Sequence, residues 1–395
     1  MESLVLVVNS GSASRKYALF SGSEKKASIH FEFVDGKIEA NVQYEDKKYL
    51  VNYEDSDLIS VSRYVLPLLR EHKIIGEQDK IDAIGIRVVA PSKQFMQDEL
   101  FTKDVESGLI SVEQRAPLHI TIVLAEIKQL EVNFGGTPII IISDSAFHAT
   151  KPAWAWHYGI DTELSEKYDI RRYGYHGISV GSIVRNMTEL NILSPKTIVC
   201  HLGSGSSLTA VGEGKSVDTT MGYTPLEGLM MATRSGTIDV SAALAIKREL
   251  QLSDDKLESY LNEKGGLLGV SGTSNDIRQL LDSEEAGDER AKLALKLFVY
   301  RIQQSIGQMA ASLGGVDAIV FTATVGERSA PIRGRILDNL GYLGFDYDRQ
   351  VNEQAFEPRE PVDLGQEGSK PIYVIATDEV AEIARRTILY IESHE

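Results

Sequence analysis

Two short polar stretches, each set between β-branched apolar runs and about half a chain apart, constrain this chain most. The first, in VVNSGSASRKYAL, is Asn9-Ser10-Gly11-Ser12-Ala13-Ser14-Arg15-Lys16. The second, in IVCHLGSGSSLTAVG, is His201-Leu202-Gly203-Ser204-Gly205-Ser206. Both read polar-x-Gly-Ser-x-Ser between strand-like runs. A tight hairpin needs only two turn residues, often Asn-Gly, so these loops carry more polar groups than a turn requires. Backbone N–H groups of Gly/Ser turns form anion-binding concavities, and Lys16 adds a point charge suited to phosphate. One such loop alone reads as an ordinary turn; the pair reads as two related halves serving one ligand.

The rest of the chain repeats this division. Strand-like runs (LVLVV, KYALF, ASIHFEFV, GKIEANVQY) form an antiparallel meander. SRYVLPLLREHKII reads as an amphipathic helix and IDAIGIRVVAP as a buried strand. SVEQRAPLHITIVLAEIKQLEVNF has helical spacing, and TPIIIISDSAF is another buried strand. From Lys151-Pro152 a second pass begins. Its strands surround the second loop, long helical stretches follow, and VDAIVFTATVGE and KPIYVIATDE read as buried strands running into polar loops. EVAEIARRTILYIES closes the chain as a helix. Strands alternating with helices predict α/β domains, and 395 residues favour two of them.

The totals exclude several classes. A net charge of -16 disfavours nucleic-acid and anionic-membrane surfaces, although an anionic substrate needs only a few local cations. No signal-like segment or membrane-length apolar run is visible. The single cysteine, Cys200, sits in an apolar run and reads as a buried core thiol, which suits a cytoplasmic location. GEGKSVD lacks the upstream glycine of a phosphate-binding P-loop, because that position is Thr209. No dinucleotide fingerprint and no zinc spacing are present.

Several polar residues stand in apolar or glycine-rich settings. Arg87 interrupts the strand GIRVVAP, and a buried arginine needs a partner, of which an anionic ligand is one. Asp144, in IISDSAFH, and Asp378 and Glu379, in VIATDE, end buried strands, where ligands of open α/β sheets lie and where carboxylates suit Mg²⁺. His176 in RYGYHGIS is flanked by glycines, and Arg234 in PLEGLMMATRSGTID is set among small residues. Anion loops, arginines and strand-end carboxylates are the parts that phosphoryl transfer uses.

At these residues the sequence resembles the acetate kinase family of the acetate and sugar kinase/actin superfamily. The match runs in order through NSGSASRK, RVVAP, APLH, DSAFH, RRYGYHGIS, HLGSGSS, DTTMGYTPLEGLMMATRSGTID, GTSNDIR, FTATVGE and TDEVAEIAR. The resemblance implies two duplicated actin-like, ribonuclease H-like α/β domains flanking an active-site cleft. The first would span 1–146 completed by 380–395, and the nucleotide-binding second 147–379. It implies reversible transfer of the ATP γ-phosphoryl group to acetate, giving acetyl phosphate and ADP, in a cytoplasmic homodimer, with no nucleic-acid or membrane partner. Asn9 and Glu379 would hold Mg²⁺ (or Mn²⁺), with Ser12, Ser14 and Lys16 along the phosphate path. Arg87 would bind the substrate carboxylate. Val89, Leu118, Tyr175 and Pro225 would form the pocket for its methyl group. Asp144 corresponds to the family's active-site carboxylate, and His176 and Arg234 would stabilise the transferring phosphoryl group. The loop His201, Leu202, Gly203, Ser204 and Gly205 would touch the nucleotide phosphates. Asp276, Ile277 and Arg278, with Thr324, Val325, Gly326, Glu327 and Arg328, would frame the adenosine.

The chain departs from the family pattern at identifiable places. Ala90-Pro91-Ser92 replaces His-Gly-Gly, APLHIT replaces APLHNP, Ser204 stands for Asn, and Thr237 for Asp. In the adenosine loop Thr324 stands for Gly and Arg328 for Asn. These changes keep open a related short-chain acyl kinase, a pyrophosphate-dependent acetate kinase, and a non-catalytic homologue that binds nucleotide or acyl phosphate.

Overall fold

The computed structural model describes residues 3–11, 14–34, 36–55 and 57–394, apart from the side chains of 117–119. The chain divides into two compact units, 1–146 with 378–395, and 147–377.

The first unit is built on an eight-stranded sheet. Its strands are β1 (Leu4–Ser10), β2 (Ser14–Ser21), β3 (Glu24–Val34), β4 (Lys37–Tyr44), β5 (Lys47–Tyr53), β6 (Ala83–Val88), β7 (Glu99–Leu100) and β8 (Ile139–Ser143), in spatial order β5-β4-β3-β2-β1-β6-β8-β7. β1, β6 and β8 run parallel; the meander β1 to β5 and the short β7 are antiparallel. Alternation sorts the side chains onto two faces. Leu6, Val8, Tyr17, Leu19, Ile84, Ile86 and Val88 join a core that includes Ile120, Val123, Ile127 and Leu130 from helix Pro117–Asn133. The opposite face packs against the C-terminal helix Glu379–Glu392. Gly85 permits that contact: a Cβ there would lie 2.0 Å from Thr387 Oγ1.

The second unit holds six strands, β9 (Lys196–Leu202), β10 (Ser206–Gly212), β11 (Lys215–Thr219), β12 (Ala318–Thr322), β13 (Val362–Asp363) and β14 (Ile372–Val374), in order β11-β10-β9-β12-β14-β13. This repeats β3-β2-β1-β6-β8-β7 strand for strand and sense for sense. Val8 pairs with Ile86 as Cys200 pairs with Phe321, so His201 occupies in this sheet the place that Asn9 occupies in the first. The fold is therefore a duplicated α/β architecture of the actin-like type.

Four expectations differ from the structure. The meander has a fifth strand, β5, whose sequence KKYLVNY is half polar and only partly buried. SRYVLPLLREHKII is split: Leu58–Tyr64 is a 3-10 turn and the α-helix covers only Val65–Glu71. The segment after β12 is a short helix, Ala323–Arg328, and not a loop; the side chain of Glu327 reaches back to accept from Ala323 N at 2.8 Å, satisfying one of the orphan donors of its first turn. The return to the first unit comes at Asp378, not after 379. Asp378 caps the last helix by accepting from Ala381 N at 2.9 Å, so Glu379 belongs with that helix.

Candidate active site

In the first unit the candidate residues gather at the carboxyl edge of the parallel strands. Asn9 pairs with Lys16 across the β1–β2 hairpin. Extending the β1–β6 register by one residue sets Asn9 beside Arg87, which in turn pairs with Ile142, two residues before Asp144. Period-2 alternation puts Asn9, Lys16, Arg87 and Asp144 on one face, the face packed by helix Glu379–Glu392. Asp144 is fixed by its neighbours: its N–H donates to Val88 O at 3.0 Å. Arg386, from the same helix, donates through Nη2 to Ser143 O at 3.1 Å and through Nε to Asp98 Oδ2 at 2.8 Å.

Arg87 does not lack protein partners. Nη2 lies 2.9 Å from Asp144 Oδ2 and Nη1 3.4 Å from Glu379 Oε2. The two carboxylates are 1% and 18% exposed, the arginine 22%. Burial acts to lower its pKa, but Asp144 and then Glu379 outweigh that, leaving the guanidinium above its ordinary value and fully charged. Its Nε is buried with no hydrogen-bond partner among the described residues, a state that a buried donor rarely holds without a ligand or water. Val89, half-buried, follows directly on β6. Ser12 lies outside the described residues, as does the side chain of Leu118. Ser14 opens β2, and Lys16 is exposed.

The second unit gathers a different set. His176 caps the N-terminus of helix Gly177–Glu189 in a left-handed conformation, φ 60°, uncommon for a residue with a Cβ. Its ring stacks on that of His201, centroids 4.1 Å apart. Hydroxyls set both rings: Ser207 Oγ lies 2.9 Å from His176 Nδ1, and Ser179 Oγ 2.8 Å from His201 Nδ1. Gly205 lets backbone approach this pair, since a Cβ there would stand 3.2 Å from His176 Nε2 and 3.7 Å from Arg234 Nη1. His176, His201, Gly205 and Arg234 are thus brought together. The segment bearing Arg234 is clamped by backbone bonds from Ala232 N to Ser204 O (3.1 Å) and from Ser235 N to Leu261 O (2.9 Å).

Other candidates have structural occupations. Leu202 is fully buried in the apolar core, so only its backbone can face a ligand. Gly203 N donates to Gly205 O at 3.0 Å, and Ser204 is exposed. Tyr175 is buried, its hydroxyl donating to Tyr223 O at 2.6 Å; Pro225 is buried as well. Asp276 caps helix Ile277–Glu285 and binds Arg278, whose hydrogen bonds hold the carboxyl down at about 2. Ile277 is buried, and Arg278 exposed. In helix Ala323–Arg328, Thr324 is exposed, Val325 half-buried and Gly326 buried. Arg328 is tied to Glu357, with Nε 2.6 Å from Oε1. Burial pushes the Glu327 pKa up, against N–H donors from Thr377 and Ala323.

Three supporting residues went unread in the sequence. Arg333, fully buried, donates to Gly326 O, Glu327 O, Ala355 O and Asn352 at 2.7–3.1 Å, pinning the end of helix Ala323–Arg328. Arg15 and Glu126 form a buried ion pair beneath the first loop.

The comparisons decide what these parts belong to. The acetokinase family model matches residues 4–385. The chain belongs to the acetokinase family. It is 40% identical to an acetate kinase of Clostridium botulinum (strain Langeland), over 97% of this chain and 98% of that one. Among solved structures, a propionate kinase from Francisella tularensis superposes with a TM-score of 0.89 at 34% identity, covering 98% of this chain and 99% of that one. Porphyromonas gingivalis acetate kinase superposes at 0.88 and 31%, covering 98% and 100%. Acetokinases are kinases of the actin-like fold, so the chain is an enzyme of the phosphotransferase class. No helix among the described residues is long and apolar enough to cross a membrane.

Asn9 and Glu379 offer an amide and a carboxylate oxygen, hard donors of the kind that Mg²⁺ takes in small number while phosphate oxygens and waters complete its shell. No group of three or more His, Cys, Asp or Glu among the described residues could hold a metal by itself. The donor set fits a cation carried in with a phosphorylated substrate.

Proposed function

We propose that this chain catalyses reversible transfer of the γ-phosphoryl group of ATP to acetate, giving acetyl phosphate and ADP. The observation that carries the reading is Arg87, charged, set at the carboxyl edge between Asp144 and Glu379, with one buried donor unused and Asn9 and Lys16 on the same sheet face.

An acetate oxygen attacks the γ-phosphorus. The bond from that phosphorus to the bridging oxygen breaks, and ADP departs with the electron pair. The attacking carboxylate carries no proton at neutral pH, so no strong base is needed, and the protein's work is alignment and charge neutralisation. Arg87 would hold the acetate carboxylate, with Asp144 and Glu379 fixing the guanidinium plane. Lys16, Ser12 and Ser14 would meet phosphate oxygens. His176 and Arg234 would stabilise charge on the transferring oxygens, and the stack on His201 fixes the His176 ring. Val89, Leu118, Tyr175 and Pro225 would bound the acyl methyl. Backbone of His201–Gly205, with Asp276–Arg278 and Thr324–Arg328, would serve the nucleotide. Mg²⁺ or Mn²⁺ held by Asn9 and Glu379 would supply charge neutralisation on the phosphates. A cytoplasmic homodimer is part of the same reading.

A related short-chain acyl specificity is the second reading, favoured by the likeness to a propionate kinase. A hydroxamate assay for acyl phosphate, crossing ATP, GTP and pyrophosphate with acetate, propionate and butyrate, separates these. Product from ATP and acetate above all other pairs is expected. Product only from pyrophosphate, or a preference for propionate, replaces the donor or the acceptor; no product from any pair leaves a binding protein.

A further inference from the structure

The β1–β2 loop has a support on the sheet face opposite its candidate phosphate-binding residues. Along β2, Lys16 is exposed while Arg15 and Tyr17 point into the core, 3% and 1% exposed. Arg15 turns back under its own loop. Its Nη1 donates to the carbonyl oxygens of Gly11 and Ser14, the latter at 3.2 Å. Its Nε donates to Glu126 Oε2 at 3.0 Å, from helix Pro117–Asn133. The other oxygen of Glu126 accepts from the Tyr17 hydroxyl. Glu126 is fully buried. Both carboxylate oxygens and three guanidinium contacts are therefore spent inside the first unit.

We propose that the buried Arg15–Glu126 pair is a positioning device that sets Gly11 and Ser14, the described ends of the β1–β2 turn, beside Lys16 so that phosphate can be received there. Carbonyl oxygens repel a phosphate, and a turn that meets one must keep its carbonyls aside. The guanidinium of Arg15 does this for Gly11 and Ser14, and Gly11 N closes the loop onto Ser14 O at 3.0 Å. Glu126 keeps Arg15 from the substrate: with its charge matched in the core, the arginine is a fixed strut, and Lys16 is left as the loop's substrate-facing cation. Neighbouring basic residues thus take opposite duties because a strand turns them to opposite faces.

The proposal rests on the phosphoryl-transfer reading, and it predicts an effect confined to phosphorylated ligands. The pair is tested as a unit in the double variant Arg15→Met/Glu126→Leu, since replacing both buried charges by apolar groups avoids stranding one of them. Arg15→Lys serves as a milder second variant that keeps the charge but loses the fork. KM for ATP and for acetyl phosphate should rise at least tenfold in the double variant and by less in Arg15→Lys. KM for acetate should stay within twofold, and the melting temperature close to that of the parent. Calorimetric titration with ATP gives the same comparison without turnover, so an inactive parent protein refutes the acetate kinase reading alone. Unchanged ATP affinity in both variants overturns the proposal. So does a loss shared equally by acetate and ATP, which marks a purely structural pair.

Discussion

Removing the Arg87 side chain should cost stability and activity by separable routes. The guanidinium lies 2.9 Å from Asp144 and 3.4 Å from Glu379. At an effective dielectric of about 20, charges at these distances attract by about 5–6 kcal/mol each before desolvation is counted. Glu379 is partly solvated and screened, so its share is small. Asp144 is 1% exposed, and removing one member of a buried ion pair costs about 3–5 kcal/mol. Arg87→Ala should therefore destabilise by about 3 kcal/mol, a fall in melting temperature of roughly 6–12 °C at about 2–4 °C per kcal/mol. Adding Asp144→Asn removes the buried negative charge and should recover most of that fall. Activity should not follow. Both variants lack the cation for the acetate carboxylate, so kcat/KM for acetate should drop by about 10²-fold or more in each. Differential scanning calorimetry and the hydroxamate assay, run on parent, single and double variants, measure the two effects side by side. An Arg87→Ala protein that melts with the parent, or a double variant that regains activity with its stability, would refute the reasoning.

Three other perturbations follow from the geometry. Arg234→Ala, beside Gly205 and His176, should lower kcat by about 10²-fold through lost stabilisation of the transferring oxygens; a steady-state kcat equal to the parent's removes Arg234 from the chemistry. The exposed Arg328–Glu357 pair is worth at most about 1 kcal/mol, while an arginine stacked on a base gains about 0.5–2 kcal/mol. Glu357→Gln should thus free Arg328 and tighten ATP binding a few-fold by calorimetry without moving acetate KM, and an unchanged ATP affinity means that Arg328 does not reach the base. Lys151 is 5% exposed, and burial first, then Arg172, lower its pKa to about 7 from 10.5. The unfolded chain then binds more protons between about pH 7 and 10, so stability rises with pH across that window. In Lys151→Met that rise should vanish from the pH series of melting temperatures, and a slope identical to the parent's would show that Lys151 is not its source.

Much of this was legible from residue order because it is local. The hairpins around both loops follow from β-branched runs broken by Gly and Ser, and the position of Arg87 in an apolar strand marked it as a residue with a charged partner. That the partners were Asp144 and Glu379 was not legible, since nothing near residue 87 names a helix almost three hundred positions later. The same holds for Arg15 and Glu126, whose separate neighbourhoods look like an ordinary strand and an ordinary helix. β7 and β13, of two residues each, are too short to carry a period. Helix Ala323–Arg328 has the composition of a loop and exists through a cap made by its own fifth residue, Glu327, a tertiary-like contact that propensity does not register. Thr324 and Arg328 read from sequence as departures from the family's adenosine loop. The salt bridge to Glu357 shows that the arginine, at least, has a partner of its own.

The C-terminal helix has a consequence for how the chain is made. Residues 1–146 leave the ribosome before 147–377, yet the sheet face carrying Val5, Val7 and Gly85 packs against a helix translated after that whole segment. Domains generally fold as units during synthesis, the N-terminal one first. Here that order is inverted in part: while the whole of 147–377 is being translated, the earlier sheet waits with one apolar face bare, an opening for chaperones and for aggregation. Helix Glu379–Glu392 both seals that face and delivers Glu379 to Arg87, so a nascent chain acquires its covering and that ion pair in the same event.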